Sequence, residues 1–128
     1  MSNWYPLLLV GLGGAAGSMA RYAAAQAVQR WSTSPFPWGT LAVNVAGSFL
    51  IGVLMIWVLK AGEAREHYRL LLVTGAMGGF TTFSSFSWET WKLIEDGRLP
   101  LAAGNALLSV ATCLLATLAG VMLARQFT

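Results

Sequence analysis

Four stretches without a charged residue limit what this chain can fold into: residues 1–20, continued past Arg21 by 22–29; residues 31–59; residues 70–88; and residues 99–124. Each holds the roughly 20 residues a helix needs to cross a bilayer. Hydrocarbon offers the backbone no water, so a single run closes its own hydrogen bonds only as a helix. The chain therefore reads as an all-α membrane protein forming one domain over residues 1–128, with four transmembrane helices at about 4–27, 38–60, 68–92 and 99–124. Charged residues are 10% of the chain, against about 25% in soluble domains. The first run lacks the basic leader of a signal peptide, so it is expected to stay in the mature protein.

Several function classes drop out. A net charge of +3 carried by eight Lys and Arg is ordinary for membrane flanks and leaves no nucleic-acid footprint. Gly11-Leu-Gly-Gly-Ala-Ala-Gly17 nominally fits a dinucleotide fingerprint, but no acidic residue precedes Glu63 to hold a ribose, and the flanks belong to a spanning helix. Gly13 and Gly17 read instead as a small-residue surface for close helix packing. No nucleophile, base and orienting group lie together, so an enzyme is not expected. His67 reads as a solvated loop residue, since no second His or Cys accompanies it.

The densest polarity lies inside the third run, at Gly78-Gly-Phe-Thr-Thr-Phe-Ser-Ser-Phe-Ser87. Two glycines, five hydroxyls and three phenylalanines in ten residues exceed what a lipid-facing helix needs. Gly75, Gly78 and Gly79 make a continuous helix costly, so a break is expected near Gly78 to Thr82, freeing carbonyls that protein, water or a cation must satisfy. Other polar residues sit at membrane depth. Arg21 is either a snorkelling interfacial arginine or a structural or gating residue. Asn44 needs a partner, which is either a neighbouring helix or a wet path. Glu89, between Trp88 and Trp91, is either interfacial or an embedded functional acid. In the fourth run Asn105, Ser109, Cys113 and Thr117 recur every fourth residue and form one polar stripe, either a packing seam or a pathway.

The basic residues give insertion almost no instruction. With four spans, Lys60, Arg65, Arg69 and Arg125 share one side, and Arg21, Arg30, Lys92 and Arg98 the other. Orientation follows the asymmetry of such counts, so an even count predicts insertion both ways and an antiparallel pair.

Taken together, Gly-Gly-Ala-Ala-Gly-Ser-Met-Ala-Arg21, Gly39-Thr-Leu-Ala-Val-Asn44 and Gly78-Gly-Phe-Thr-Thr-Phe-Ser-Ser-Phe-Ser87-Trp-Glu89 resemble the Fluc (CrcB) family of fluoride channels. The resemblance implies a dual-topology antiparallel homodimer in the bacterial inner membrane, with two pathways that passively export toxic fluoride from the cytoplasm. It implies a structural sodium ion, not transported, held by backbone carbonyls at positions matching Gly78 and Thr81. Phe83 and Phe86 match the pathway phenylalanines, Asn44 the polar residue near the mouth, and Arg21 the arginine near the vestibule. Ser109 and Thr117 match a hydroxyl track, with Ser84, and beside it Ser85 and Ser87, as further candidate donors. Cys113 stands where a serine is often found, and Asn105 varies in type among relatives. Hydroxyls and an amide can replace the water of a small, strongly hydrated anion, and phenylalanine edges are electropositive. Two alternatives stand beside this: a proton-coupled multidrug exporter, which needs an acid in the first helix, and a purely structural membrane subunit.

Overall fold

A computed structural model describes residues 3–128. The chain forms α1 (Trp4–Gln29), α2 (Trp38–Leu59), a 3-10 turn (Gly62–Ala64), α3 (residues 65–80), α4 (Phe83–Glu95) and α5 (Leu99–Gln126). Four helices are long and apolar enough to cross a membrane, with α3 and α4 together as the third, and they fall on the four runs of the sequence. Their outer faces carry Leu7, Leu8, Leu12, Met19, Leu114 and Leu115 in the open, as lipid-facing surfaces require.

The connections follow local chemistry. Gln29 links α1 to α2: its Oε1 accepts the Gly39 N–H at 2.9 Å and its Nε2 donates to the Phe36 carbonyl at 3.2 Å. Gly97, at φ +74°, ends α4. There the Arg98 N–H reaches the Leu93 carbonyl at 2.7 Å and the Gly97 N–H reaches Ile94 at 3.0 Å, the paired bonds that close a helix on a left-handed glycine. Pro100 then sits in the first turn of α5, where its missing N–H costs nothing.

Small residues set the packing. Gly13 and Gly17 are the buried positions of α1, and a Cβ on either would overlap the α3 backbone at Leu71 or Ala76. A Cβ on Gly52 would likewise meet the Thr117 carbonyl, and one on Gly120 the Phe49 carbonyl, so α2 and α5 touch through their backbones. Close contact of this kind is what holds helices together in lipid, where burying apolar surface between helices gains little.

The third span departs from expectation twice. Residues Arg69–Met77 wind as a π-helix, with bonds from i to i+5, which no sequence signal announced. The break is also narrower than expected and is not at the glycines. Only Thr81 (φ −94°, ψ 156°) and Thr82 (φ −150°, ψ 114°) leave the helix, while Gly75, Gly78 and Gly79 stay in it. Gly75 and Gly79 serve close approach, since a Cβ on either would press into α1. Their helical cost, about 1 kcal/mol each, is offset by that contact.

Candidate functional site

At the break, the backbone bonds of a continuous helix are rerouted one by one. The Thr81 N–H and hydroxyl both donate to the Met77 carbonyl at 3.0 Å. The Thr82 N–H, which a helix would give to Gly78, goes instead to Asn44 Oδ1 at 2.8 Å, and Asn44 Nδ2 donates to the Thr82 carbonyl at 3.1 Å. The Gly79 carbonyl accepts from Arg21 Nε at 2.8 Å, which sets a positive charge at the C-terminal end of α3. The Ser85 N–H, which a helix would give to Thr81, caps α4 on the Thr82 hydroxyl at 3.1 Å. Among the described residues, the carbonyls of Gly78, Phe80 and Thr81 are left without a donor.

Two clefts meet at Thr82, which lines both. The first, about 300 Å³, gathers Asn44, Thr81, Phe83, Phe86, Ser109 and Cys113 from α2, the break, α4 and α5. The rings of Phe83 and Phe86 lie 5.3 Å apart and tilted by 53°. Phe83 is 76% exposed, so its ring forms the outer rim. An amide nitrogen carries two N–H donors, and only one of Asn44's is taken by Thr82.

The second cleft, about 420 Å³, lies across the break between α1, α2 and α4. Arg21, Gln26, Gln29, Ser84, Ser85 and Glu89 line it. Arg21 borders this cleft and bonds the break. Ser84 faces this cleft and not the phenylalanines, with its hydroxyl 3.2 Å from that of Thr82. Ser85 joins it, whereas Ser87 is exposed and lines neither. Glu89 is half-buried: its Oε1 has no hydrogen-bond partner among the described residues, and its side chain faces the cleft.

The α5 stripe divides. Asn105 and Ser109 are buried, at 1% and 7% exposure; Ser109 donates to Asn105, which in turn donates to Thr90 of α4. Ser109 and Cys113 form cleft wall. The Thr117 hydroxyl donates to the Ser48 carbonyl at 3.0 Å and lies outside both clefts, so at that level the stripe is a seam between α2 and α5. Thr82 and Thr90 were not singled out in the sequence. Thr82 precedes a helix start as caps do, and Thr90 carries no such signal.

Such a site can do two things. An amide N–H and ring edges in apolar surroundings suit a small anion, and donor-free carbonyls suit a cation.

The family described as "CrcB-like protein, Camphor Resistance (CrcB)" matches residues 8–121. A protein of Geobacter sulfurreducens called "Fluoride-specific ion channel FluC" is 51% identical over 94% of this chain and 97% of its own length. One of Agrobacterium fabrum with the same name is 48% identical over 94% of this chain and 96% of its own. A third so named, from Methylococcus capsulatus, is 44% identical over 94% of this chain, which spans 53% of that longer protein.

Proposed function

The chain belongs to the CrcB family, and from that premise we propose that it is a fluoride-selective channel, not an enzyme, exporting fluoride passively from the cytoplasm across the bacterial inner membrane. The observation that carries the reading is the cleft beside the break, where Asn44, Phe83, Phe86 and Ser109 converge from three helices in a chain half identical to a protein named for fluoride. Asn44 offers its second N–H, and the ring edges of Phe83 and Phe86 offer weak positive potential between stronger donors. A conducting site must bind well enough to strip water and weakly enough to release, and alternating an amide with ring edges suits that compromise. Cys113, a weaker donor than serine, contributes less. Thr117 spends its proton on Ser48 and is left out of the route. Arg21, Ser84 and Glu89 belong to the adjoining cleft, read as the aqueous approach, where Arg21 draws anions in and Ser84 offers a hydroxyl.

Two copies, inserted in opposite directions, make the working unit. The even count of basic residues supports this, and so does the outward-facing Phe83, whose exposed ring a second copy covers. A structural sodium ion fits the same arrangement. The Gly78 and Thr81 carbonyls lack donors, and hard oxygen atoms at a helix break are what such an ion takes. When bound, sodium supplies the positive charge that satisfies these oxygens; the chain itself holds them apart from Thr82 and Ser85 by giving those N–H groups to side chains.

The test is anion efflux from liposomes holding the purified protein. Fast fluoride release with no chloride release is expected. Equal rates for both anions remove the selectivity, and no flux leaves a structural subunit.

A further inference from the structure

Thr90, one turn beyond Phe86 on α4, has no part in either cleft, yet it is the hinge point of a hydrogen-bonded chain that ends on the cleft wall. Its hydroxyl donates to the Phe86 carbonyl at 2.7 Å. Its one proton is thereby committed, so only its lone pairs face α5, and the atom of Asn105 that meets them must be the N–H₂, at 2.9 Å. That fixes the amide. Oδ1 points the other way and accepts the Ser109 hydroxyl at 3.2 Å. Asn105 is 1% exposed, so neither end of its amide has water to fall back on.

The direction of every proton in this chain thus runs back from one carbonyl. In the arrangement seen, Ser109 aims its proton at Asn105 and shows lone pairs to the cleft, the wrong polarity for an anion. To donate into the cleft, Ser109 must release Oδ1. A buried carbonyl oxygen would then be orphaned unless the amide turns over, with Nδ2 donating to Ser109 and Oδ1 accepting from Thr90. Thr90 allows that because a hydroxyl both donates and accepts. The Phe86 carbonyl keeps its ordinary helical bond inside α4 when the hydroxyl leaves it.

We propose that Thr90 is a positioning residue of the pathway, holding the Asn105 amide so that Ser109 and Phe86 keep their places on the cleft wall and the Ser109 proton can be turned toward a passing anion. This rests on the fluoride reading of that cleft. Valine at 90 matches threonine in shape but neither accepts nor donates, so each amide orientation leaves one buried group of Asn105 unpaired, the side chain shifts, and Ser109 loses its partner.

The experiment is single-channel recording in planar bilayers, because loss of folded protein changes the number of channels and not the current each carries. Thr90→Val is expected to lower the unitary fluoride current about tenfold with the dimer intact by size exclusion, and Thr90→Ser to restore it. In an Asn105→Leu background, Thr90→Val is expected to change the current no further, since residues acting through one network are not additive. A wild-type current in Thr90→Val overturns the proposal. So does failure of serine to rescue, which assigns the role to the methyl group, or full additivity with Asn105→Leu. If Thr90→Val does not assemble, Thr90→Ser and Thr90→Cys carry the test: the weak thiol gives a reduced current if the hydroxyl matters and an unchanged one if it does not. Wild-type protein that carries no fluoride current at all would instead sink the fluoride reading itself.

Discussion

Asn44 and Thr82 are joined by two hydrogen bonds, the Thr82 N–H to Oδ1 at 2.8 Å and Nδ2 to the Thr82 carbonyl at 3.1 Å. The side-chain amide of α2 thus takes the place of the backbone that α3 and α4 no longer supply. It is the reason the Thr82 peptide group at least is paired where the membrane helix opens.

Asn44→Leu removes both bonds and leaves a peptide N–H and C=O unpaired, at about 1–3 kcal/mol for each. The expected outcome is a lower unfolding temperature in detergent together with loss of flux. Asn44→Asp keeps the acceptor and loses the donor, so it is expected to recover part of the stability and little of the flux. Unfolding temperatures equal to wild type in both variants would show that the break does not depend on this amide.

Phe83→Ile and Phe86→Ile replace a ring edge by a branched aliphatic chain of similar burial. Fluoride flux is expected to fall in each by tenfold or more, with the protein still running as one species on size exclusion. Liposome efflux reads the first and chromatography the second; normal efflux in both variants makes the ring edges dispensable.

At Gly13 a Cβ would overlap the Leu71 carbonyl, and backbone cannot move aside as a flexible side chain can. Gly13→Val is therefore expected to push α1 from α3 at a cost of roughly 1–3 kcal/mol or more, seen as poor expression and a broadened elution profile. Gly11 has open space around its Cα. Gly11→Ala is expected to behave as wild type, which makes it the control for helix propensity alone.

If sodium fills the carbonyls of Gly78 and Thr81, stability follows its concentration by mass action. Above the dissociation constant, each tenfold dilution of sodium costs about 1.4 kcal/mol per site. Thermal unfolding with sodium exchanged for a bulky organic cation at constant ionic strength is expected to show the midpoint falling. A midpoint indifferent to sodium would leave those oxygens to another partner.

The proposed antiparallel arrangement is open to a labelling test. A single cysteine introduced in the charged loop, as Glu63→Cys in a Cys113→Ala background, is expected to react with impermeant thiol reagents from both faces of the membrane. Labelling from one face alone would exclude dual insertion.

The four spans were legible because a bilayer leaves so few alternatives: an uncharged run of that length has one way to satisfy its backbone. The close packing at Gly13 and Gly17 was legible for a related reason, since small residues at helical spacing mean close approach, but not that α3 is the partner. The break was legible in place but not in cause. Glycine promised it, while the helix opens at Thr81 and Thr82, where a distant amide offers the backbone better partners, and no local rule contains Asn44. Ser84 was read as a pathway donor and lies instead in the neighbouring cleft, because a helix start turns successive side chains by about 100° and the sequence does not say where that turn begins. Thr117 had the spacing of a pathway residue and the bond of a packing residue. Periodicity identifies a face of a helix; it does not identify which neighbour the face meets at each level.

The nine residues from Arg69 to Met77 have a meaning for how the chain tolerates change in length. A π-helix takes in more residues per turn than an α-helix, so this segment holds surplus chain between the charged loop and the break. Dropping one residue there allows the segment to tighten toward α-winding while Arg21 keeps its bond to Gly79. The same deletion in α2 would swing Asn44 away from Thr82. The third span therefore carries its own slack, placed on the one side of the break where length can be traded without moving the residues that hold it open.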